Sequence, residues 1–264
     1  MIVRYENSGK ESITLSAQGI KLREADFFSY EWEVEDGYFT KDERKYQVTI
    51  EITGNRQEKK TQLNRFFELT EGDLLKRTPG KLYLDDQYIN GYVISAESYP
   101  GDSPVGVIKE FTLYTRTSYW IKETPYSFGI GEDYSGNNKR YSYRYAYRYA
   151  NGLTGTYIIN DHFDQADFRM VIYGPVVNPL VIIGGHRYLV NILLEAGEYL
   201  EIDSEAGTVY KVMNSGQIVN AFHNRDKENN IFQPILPGRR TVEWSGEFAW
   251  DITLYAKRSE PLWQ

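Results

Sequence analysis

Short β-prone segments separated by turn residues dominate this chain, and they constrain its fold more than any other feature. In the second half they recur at a spacing of roughly 8–12 residues, interrupted by Gly174-Pro175, Gly184-Gly185 and Pro237-Gly238. This pattern is typical of an antiparallel β-sandwich. The predicted strands of this half are 141–149, 155–160, 168–173, 180–183, 187–194, 199–202, 208–212, 241–244 and 249–256.

The first half adds one helix to its strands. Asn55, followed three residues later by Glu58, matches a capping box at a helix start, and Gly72 is a plausible stop. Between them, apolar residues fall at helical spacing, which predicts an amphipathic helix over 57–71 packed on a sheet. The apolar residues expected on its buried face are Leu63, Phe66, Phe67 and Leu74.

Strands surround this helix. Residues 28–34 and 45–52 alternate apolar and polar side chains, as half-buried strands do. Asp85-Asp86 is the favoured hairpin turn, which leaves 87–95 as one long strand with Gly91 at a bulge.

An extended strand is then predicted over 107–122, and Thr124-Pro125 is expected to break it. We therefore predict a mainly β chain with two domains, 1–124 and 125–264. The first is a β domain with one α-helix packed on a sheet, and the second is a β-sandwich.

The composition excludes several chemistries. The chain has 264 residues and no Cys, which rules out disulfides, Cys-zinc sites, iron–sulfur clusters and thiol nucleophiles. A net charge of −7 argues against coating nucleic acid. Neither a P-loop nor a Gly-x-Ser-x-Gly elbow occurs, and the three His are scattered at 162, 186 and 223. We expect no enzyme activity, no cofactor, no metal site and no nucleic-acid partner.

The N-terminus, Met-Ile-Val-Arg-Tyr-Glu-Asn, lacks the apolar core of a signal peptide. The longest apolar stretches fall far short of the roughly 20 residues that a membrane span needs. We expect synthesis in the cytoplasm without a signal peptide and no membrane partner.

Tyrosines are concentrated near the domain junction, where five fall at strict period 2. On one strand all five would share a face. That face could be a binding platform for sugars or a protein interface, or it could cover the sheet by packing. Trp244 is a further candidate for such a platform. The five tyrosines are Tyr141, Tyr143, Tyr145, Tyr147 and Tyr149.

The order of several short motifs resembles the distal tail protein family of siphophages and related prophages of Gram-positive bacteria. No single motif is specific, but together they span nearly the whole chain. They are residues 2–7, 24–26, 84–93, 172–175, 178–179, 197–203, 236–238, 245–246 and 258–263.

This resemblance implies that the N-terminal ring-forming β domain is a β-sandwich with one α-helix and that the C-terminal domain is a galectin-like β-sandwich. It implies a homohexameric baseplate ring at the virion tail tip, between the tail tube protein and a tail-associated hub, lysin or receptor-binding protein. The synthesis expected above would then be in the cytoplasm of the bacterial host.

The implied galectin-like domain raises an alternative function, the carbohydrate-binding module of a host-adhesion device. Sugar-binding galectins carry His-x-Asn-x-Arg and Trp-x-x-Glu-x-Arg. Here His223-Asn224-Arg225 has the residue types at the wrong spacing, and Ala249 stands where the Arg after Trp244 and Glu247 should be. The domain is therefore expected to act as a scaffold, with sugar binding as the rival hypothesis.

Overall fold

Two compact units make up the chain. The structure is a computed structural model that describes residues 1–17, 19–41, 43–100, 106–130 and 157–263. One unit is Met1–Lys122 with Lys257–Gln264, and the other is Glu123–Ala256. The C-terminal residues 257–264 thus lie with the first unit, whereas the sequence prediction placed them in the second domain. The division into domains 1–124 and 125–264 stays a prediction.

The first unit holds two antiparallel sheets that share one long strand. β8 pairs with β7 in its first half and with β9 in its second half. The two sheets have the strand orders β2-β1-β7-β8 and β3-β6-β9-β8. The elements are β1 (Val3–Glu6), β2 (Ser12–Thr14), β3 (Ile20–Ala25), β4 (Glu33–Glu35), β5 (Tyr38–Thr40), β6 (Arg44–Ile52), α1 (Arg56–Lys76), β7 (Gly80–Leu84), β8 (Gln87–Pro100) and β9 (Val107–Thr115).

The helix α1 begins where the sequence predicts. The Asn55 side chain accepts from the backbone N–H groups of Gln57 and Glu58, and the Glu58 side chain accepts from the Asn55 N–H, completing the capping box. The predicted end at Gly72 is wrong. A helical Gly costs only about 1 kcal/mol relative to Ala, and beyond it Asp73, within the same helix, accepts hydrogen bonds from Tyr5 and Ser8. The helix ends instead at Arg77, which adopts the left-handed conformation with φ of 54°.

A buried polar contact joins the end of α1 to β1. The carboxylate of Asp73 is fully buried and accepts from the Tyr5 hydroxyl at 2.6 Å and the Ser8 N–H at 2.8 Å. Burial, followed by the hydrogen bond to Asp73, raises the pKa of Tyr5 well above its usual range. Gly80 packs against this pair, since a Cβ there would lie 2.5 Å from the Asp73 carboxylate. Position 80 therefore has no room for a side chain, because the Tyr5–Asp73 contact fills that space.

The second unit is a β-sandwich with an apolar core. One sheet has the order β19-β18-β17-β12-β21, the other has β11-β20-β14-β15, and β13 pairs with β16. Strands β12 and β21 alternate buried and half-exposed residues along their length. The elements are β10 (Trp120–Phe128), which starts in the first unit, β11 (Tyr157–Asn160), β12 (Asp167–Tyr173), β13 (Val176–Val177), β14 (Leu180–Ile183), β15 (His186–Leu189), β16 (Leu193–Leu194), β17 (Tyr199–Asp203), β18 (Thr208–Val212), β19 (Ile218–Asn220), a 3-10 helix (Phe222–Asn224), β20 (Gly238–Trp244) and β21 (Trp250–Arg258).

The mainly β class, with one α-helix among the described residues, confirms the predicted fold class. The Asp85-Asp86 turn is also confirmed, since Leu84 pairs with Gln87 and Asp85 has a positive φ of 53°. The register shift of β8 lies between Val93 and Ser95 rather than at Gly91.

Two of the strand predictions near the junction are wrong. The single strand expected over 107–122 is two strands, β9 and β10, separated by a turn. Strand β10 also continues through Pro125, where a break was expected. A strand tolerates proline at a position whose backbone N–H would not donate to a neighbouring strand. Proline alone is therefore weak evidence that a strand ends.

Candidate interaction surfaces

A short amphipathic hairpin projects from the first unit between β3 and β6. Strands β4 and β5 meet at Asp36-Gly37, whose φ angles are both positive at 49° and 82°, as a tight type I′ hairpin turn requires. Val34 pairs with Phe39 and Glu35 with Tyr38, so successive pairs lie on opposite faces. We call residues 30–40 the acidic hairpin. It contains Glu31, Glu33, Glu35 and Asp36 and no Lys or Arg.

The apolar face of the acidic hairpin is open to solvent. Val34 is 64% exposed and Phe39 is 70% exposed. Strands β4 and β5 form a two-stranded sheet of their own, with no further strand among the described residues. The sequence prediction of a half-buried strand over 28–34 is therefore wrong, since only 33–35 is a strand and all of it is exposed. The Asp-Gly pair between alternating segments was the signal that could have found the hairpin.

Lys41 fixes the base of the acidic hairpin. Its ammonium lies 4.4 Å from the ring centroid of Tyr119 and 5.7 Å from that of Trp32, and it donates to the Ser118 carbonyl. Burial, with repulsion from Arg44, lowers the pKa of Lys41 to about 8. The hairpin is thus held at its base and exposed along its strands.

A second exposed apolar surface lies on α1. Phe67 and Leu75 are 59% and 80% exposed, and Leu74 is exposed as well. Arg56 and Lys60 lie on the same helix face as Phe67 and Leu74, but near the start of α1, 7 to 18 residues before them. We call Arg56, Lys60, Phe67, Leu74 and Leu75 the helix stripe.

The buried face of α1 differs from the prediction. It contains Phe66, Leu69, Thr70 and Asp73, with Phe66 packed 5.0 Å from the Phe111 ring. The predicted assignment of Phe67 and Leu74 to the core is therefore wrong. The true core face includes the polar Thr70 and Asp73, whose burial a hydrophobic pattern cannot indicate.

Trp244 lies against the aromatic core of the second unit. Its ring packs edge-on against Phe128 at 5.3 Å and against Trp250 at 6.2 Å. Trp244 is half-buried and occupied in packing, which is a poor arrangement for a stacking platform. The predicted face of Tyr141, Tyr143, Tyr145, Tyr147 and Tyr149 lies outside the described residues.

The residues that resemble a galectin motif already have partners within the chain. The Arg225 guanidinium lies 3.8 Å from the Phe222 ring centroid and donates to the Phe222 carbonyl at 2.8 Å. The Asn224 side chain donates to the carbonyl of Asn191 at 3.0 Å. These donors therefore serve the local fold.

The described residues offer no group of three or more His, Asp or Glu placed to hold a metal ion. His162 packs on Phe163 at 4.1 Å, and Nε2 of His186 lies 2.8 Å from the Asn230 carbonyl. In the same part of the chain, no helix is both long enough and apolar enough to cross a membrane.

Comparison with known proteins identifies the fold. Neither a family model nor a curated protein matches the chain. The Dit protein of phage SPP1, described as a paradigm of the hub adsorption apparatus in phages that infect Gram-positive bacteria, matches with a TM-score of 0.58 at 10% identity. The match covers 98% of this chain and 100% of that one.

The baseplate of phage P2 in its activated conformation gives two similar results. The calcium form matches with a TM-score of 0.57 at 12% identity, and the strontium form with 0.57 at 13%. Each match covers 98% of this chain and 99% of the other. The chain has the fold of these phage tail proteins. The resemblance inferred from motif order is thereby confirmed at the level of the fold.

Proposed function

We propose that the chain is a structural distal tail protein of a phage or prophage, forming a hexameric baseplate ring at the virion tail tip. The observation that carries this proposal is the extent of the shared fold, which spans 98% of this chain and 100% of the SPP1 Dit protein. A β-sandwich alone is common and hosts many functions. A match over both units is more specific than a match to one sandwich.

The two units suggest a division of roles. The first unit, with its exposed acidic hairpin and helix stripe, would form the ring. The second unit, a galectin-like sandwich, would serve as a docking platform for a hub, lysin or receptor-binding protein. The ring would join this platform to the tail tube protein, and the chain would be made in the cytoplasm of the bacterial host.

A structural role also suits the chemistry of the described side chains. The polar groups near the galectin-like motif bond within the chain, and Trp244 packs against Phe128 and Trp250. The alternative, a carbohydrate-binding module of a host-adhesion device, gains no support from them. We propose a protein without enzyme activity.

Light scattering and negative-stain imaging of the purified protein test the proposal together. We expect a mass about six times the 30.7 kDa of one chain and a six-fold ring with a central hole. A strict monomer, both alone and with co-expressed tail tube and hub proteins, would contradict the proposal. Binding to host wall polysaccharide by that monomer would favour the carbohydrate-binding alternative.

A further inference from the structure

Two strands of the first unit, β3 and β4, each have an open edge, and their two sides match. We propose that β4 of one copy adds to the open edge of β3 in a neighbouring copy, so that the acidic hairpin extends the neighbour's sheet. This inference rests on the self-association in the proposed function and identifies the strands that carry it.

Strand β3 lies at the edge of its sheet. It pairs with β6 and with no other strand among the described residues. An edge strand presents a row of unpaired backbone N–H and C=O groups, which makes it a template for another strand. An extended segment is the occupant that suits such an edge, because its backbone repeats donors and acceptors at the same spacing.

A groove of about 520 Å³ borders this edge. All six residues of β3 line the groove, together with Ser16, Phe27 and Phe28 among others. On the core side of β3, Ile20 is buried and Leu22 packs against the same apolar cluster. A strand added at this edge would therefore direct apolar side chains toward the groove and polar ones toward solvent.

Strand β4 has the alternation that this position requires. Val34 and its cross-strand partner Phe39 lie on one side of the hairpin, and Glu33 and Glu35 lie on the other. Among the described residues β4 pairs only with β5, and a two-stranded hairpin alone is marginally stable in water. Joined to β3, the hairpin would become part of a larger sheet, and its apolar side would be covered at the groove.

The cations of β3 lie on its other side. Lys21 is exposed on the side opposite Ile20 and Leu22. Arg23 reaches the same side, since its guanidinium lies 2.6 Å from Glu51, the cross-strand partner of Lys21. The solvent side of this edge is therefore the basic one.

Alternation then brings opposite charges together. When Val34 lies beside Leu22 on the apolar side, the carboxylates of β4 fall on the side of Lys21 in either strand direction. The acidic hairpin contains no cation, so cross-strand pairs of opposite charge form along this side. Glu24, the one carboxylate of β3, lies beyond the register shift that follows Leu22.

Each copy has one such edge to give and one to receive. Strands β3 and β4 of one copy belong to separate sheets. Pairing β4 with the β4 of another copy would bring carboxylates together, whereas pairing it with β3 does not. A contact between unlike strands is heterologous, the type that closes into a ring when the rotation fits.

Chemical cross-linking can test the contact directly, because the chain has no Cys to interfere. Tyr38→Cys and Glu24→Cys are made as two single variants carrying tags of different mass. These positions are exposed, and neither change removes a hairpin carboxylate or a β3 cation. The variants are mixed, allowed to assemble and treated with a short bis-maleimide, and the mixed dimer is measured on a denaturing gel. Tyr38→Cys mixed with Val177→Cys is the matched control, because Val177 is 66% exposed and lies in the second unit.

We expect at least roughly tenfold more mixed dimer from Tyr38→Cys with Glu24→Cys than from the control, because a formed contact raises the local concentration of the thiols. If the unmodified chain assembles but the two yields are equal, the strand assignment is overturned and the proposed ring stands. A higher yield with Leu75→Cys on α1 than with Glu24→Cys would also overturn it. If the unmodified chain remains monomeric at roughly 0.1 mM, alone and with co-expressed tail proteins, both proposals fail.

A charge exchange supplies a second readout of the same contact. Lys21→Glu should weaken self-association roughly fivefold by light scattering, as should Glu35→Lys, and the two changes together should restore it to within roughly twofold. Glu228→Lys makes the same change of charge at an exposed position of the second unit and should alter the affinity less than roughly twofold. An additive loss in the double variant would overturn the pairing of β4 with β3.

Discussion

The two units of this chain are stabilised at their centres in different ways. The first unit buries a carboxylate, Asp73, that depends on the Tyr5 hydroxyl and the Ser8 N–H. The second unit centres on stacked aromatic rings, with Phe128 lying 4.3 Å from Trp250. A buried polar contact requires defined geometry, whereas aromatic packing depends on shape and buried area. Substitutions should therefore affect the two units through different mechanisms.

The largest expected effect is in the second unit. Trp250→Ala removes a fully buried indole that packs against Phe128 and Trp244, and it should lower the free energy of unfolding by about 3–5 kcal/mol. Denaturant unfolding measures the change. Trp263→Ala is the control, because Trp263 is mostly exposed, and it should cost less than about 1 kcal/mol. Equal losses in the two variants would contradict the importance of the aromatic centre.

A smaller loss is expected from the polar centre of the first unit. Asp73→Ala leaves the Tyr5 hydroxyl and the Ser8 N–H buried without this acceptor, and it should cost about 2–3 kcal/mol. Adding Tyr5→Phe to that variant should cost less than Tyr5→Phe does in the unmodified chain, because the hydroxyl has already lost its partner. Denaturant unfolding of the four proteins in this cycle gives the coupling. Strict additivity would show that Tyr5 and Asp73 do not stabilise the fold as a pair.

The helix cap should contribute less again. Asn55→Ala removes the acceptor for the Gln57 and Glu58 N–H groups and should lower stability by about 1 kcal/mol. Asn55→Asp retains the acceptor and should restore most of that loss. Thermal unfolding followed by circular dichroism compares the three proteins. An Asn55→Asp variant as unstable as Asn55→Ala would show that the side-chain cap is unimportant.

Tyrosine titration should have the smallest effect on the free energy of unfolding near neutral pH. This effect becomes larger only at alkaline pH. Burial raises the pKa of Tyr5 in the first unit and of Tyr188 and Tyr255 in the second. Above pH 10.0, the ordinary tyrosine value, the unfolded chain loses these protons while the folded chain retains them. Stability should therefore fall in both units as the pH rises above 10.0. Denaturation midpoints and tyrosinate absorbance, measured across this range, check the expectation.

Lys41 should add a rise in stability with pH, opposite in sign to the tyrosine effect, in the first unit alone. Its pKa is about 8 in the folded chain and 10.5 ordinarily, so between these values the unfolded state binds more protons. Its contribution to stability therefore rises with pH across this window. Lys41→Met should abolish that rise while leaving the fall above it intact. An unchanged profile in Lys41→Met would contradict this assignment.

Local sequence chemistry predicted the parts of the fold that depend on neighbours in the chain. The capping box at Asn55 and the turn at Asp85-Asp86 involve hydrogen bonds and backbone angles within a few residues. The end of α1 and its buried face could not be predicted in the same way. The buried face includes Asp73, whose carboxylate accepts from the Tyr5 hydroxyl, 68 residues away along the chain.

The candidate surfaces show the same limit. The alternating pattern and Asp36-Gly37 encode the acidic hairpin, yet nothing local shows that no other described strand pairs with it. Likewise, Phe67 and Leu74 fit a helical apolar pattern, but only packing decides which side of α1 meets the sheet. The sequence made Trp244 a plausible binding platform. In the structure its ring packs against Phe128 and Trp250.

The sequence by itself determined the mainly β class and the start of the one described α-helix, because periodicity, caps and turns are short-range properties. The tertiary structure alone decided which apolar side chains remain exposed and which polar ones are buried. Burial depends on contacts between segments far apart in the chain, and the free energy of those contacts outweighs local preference.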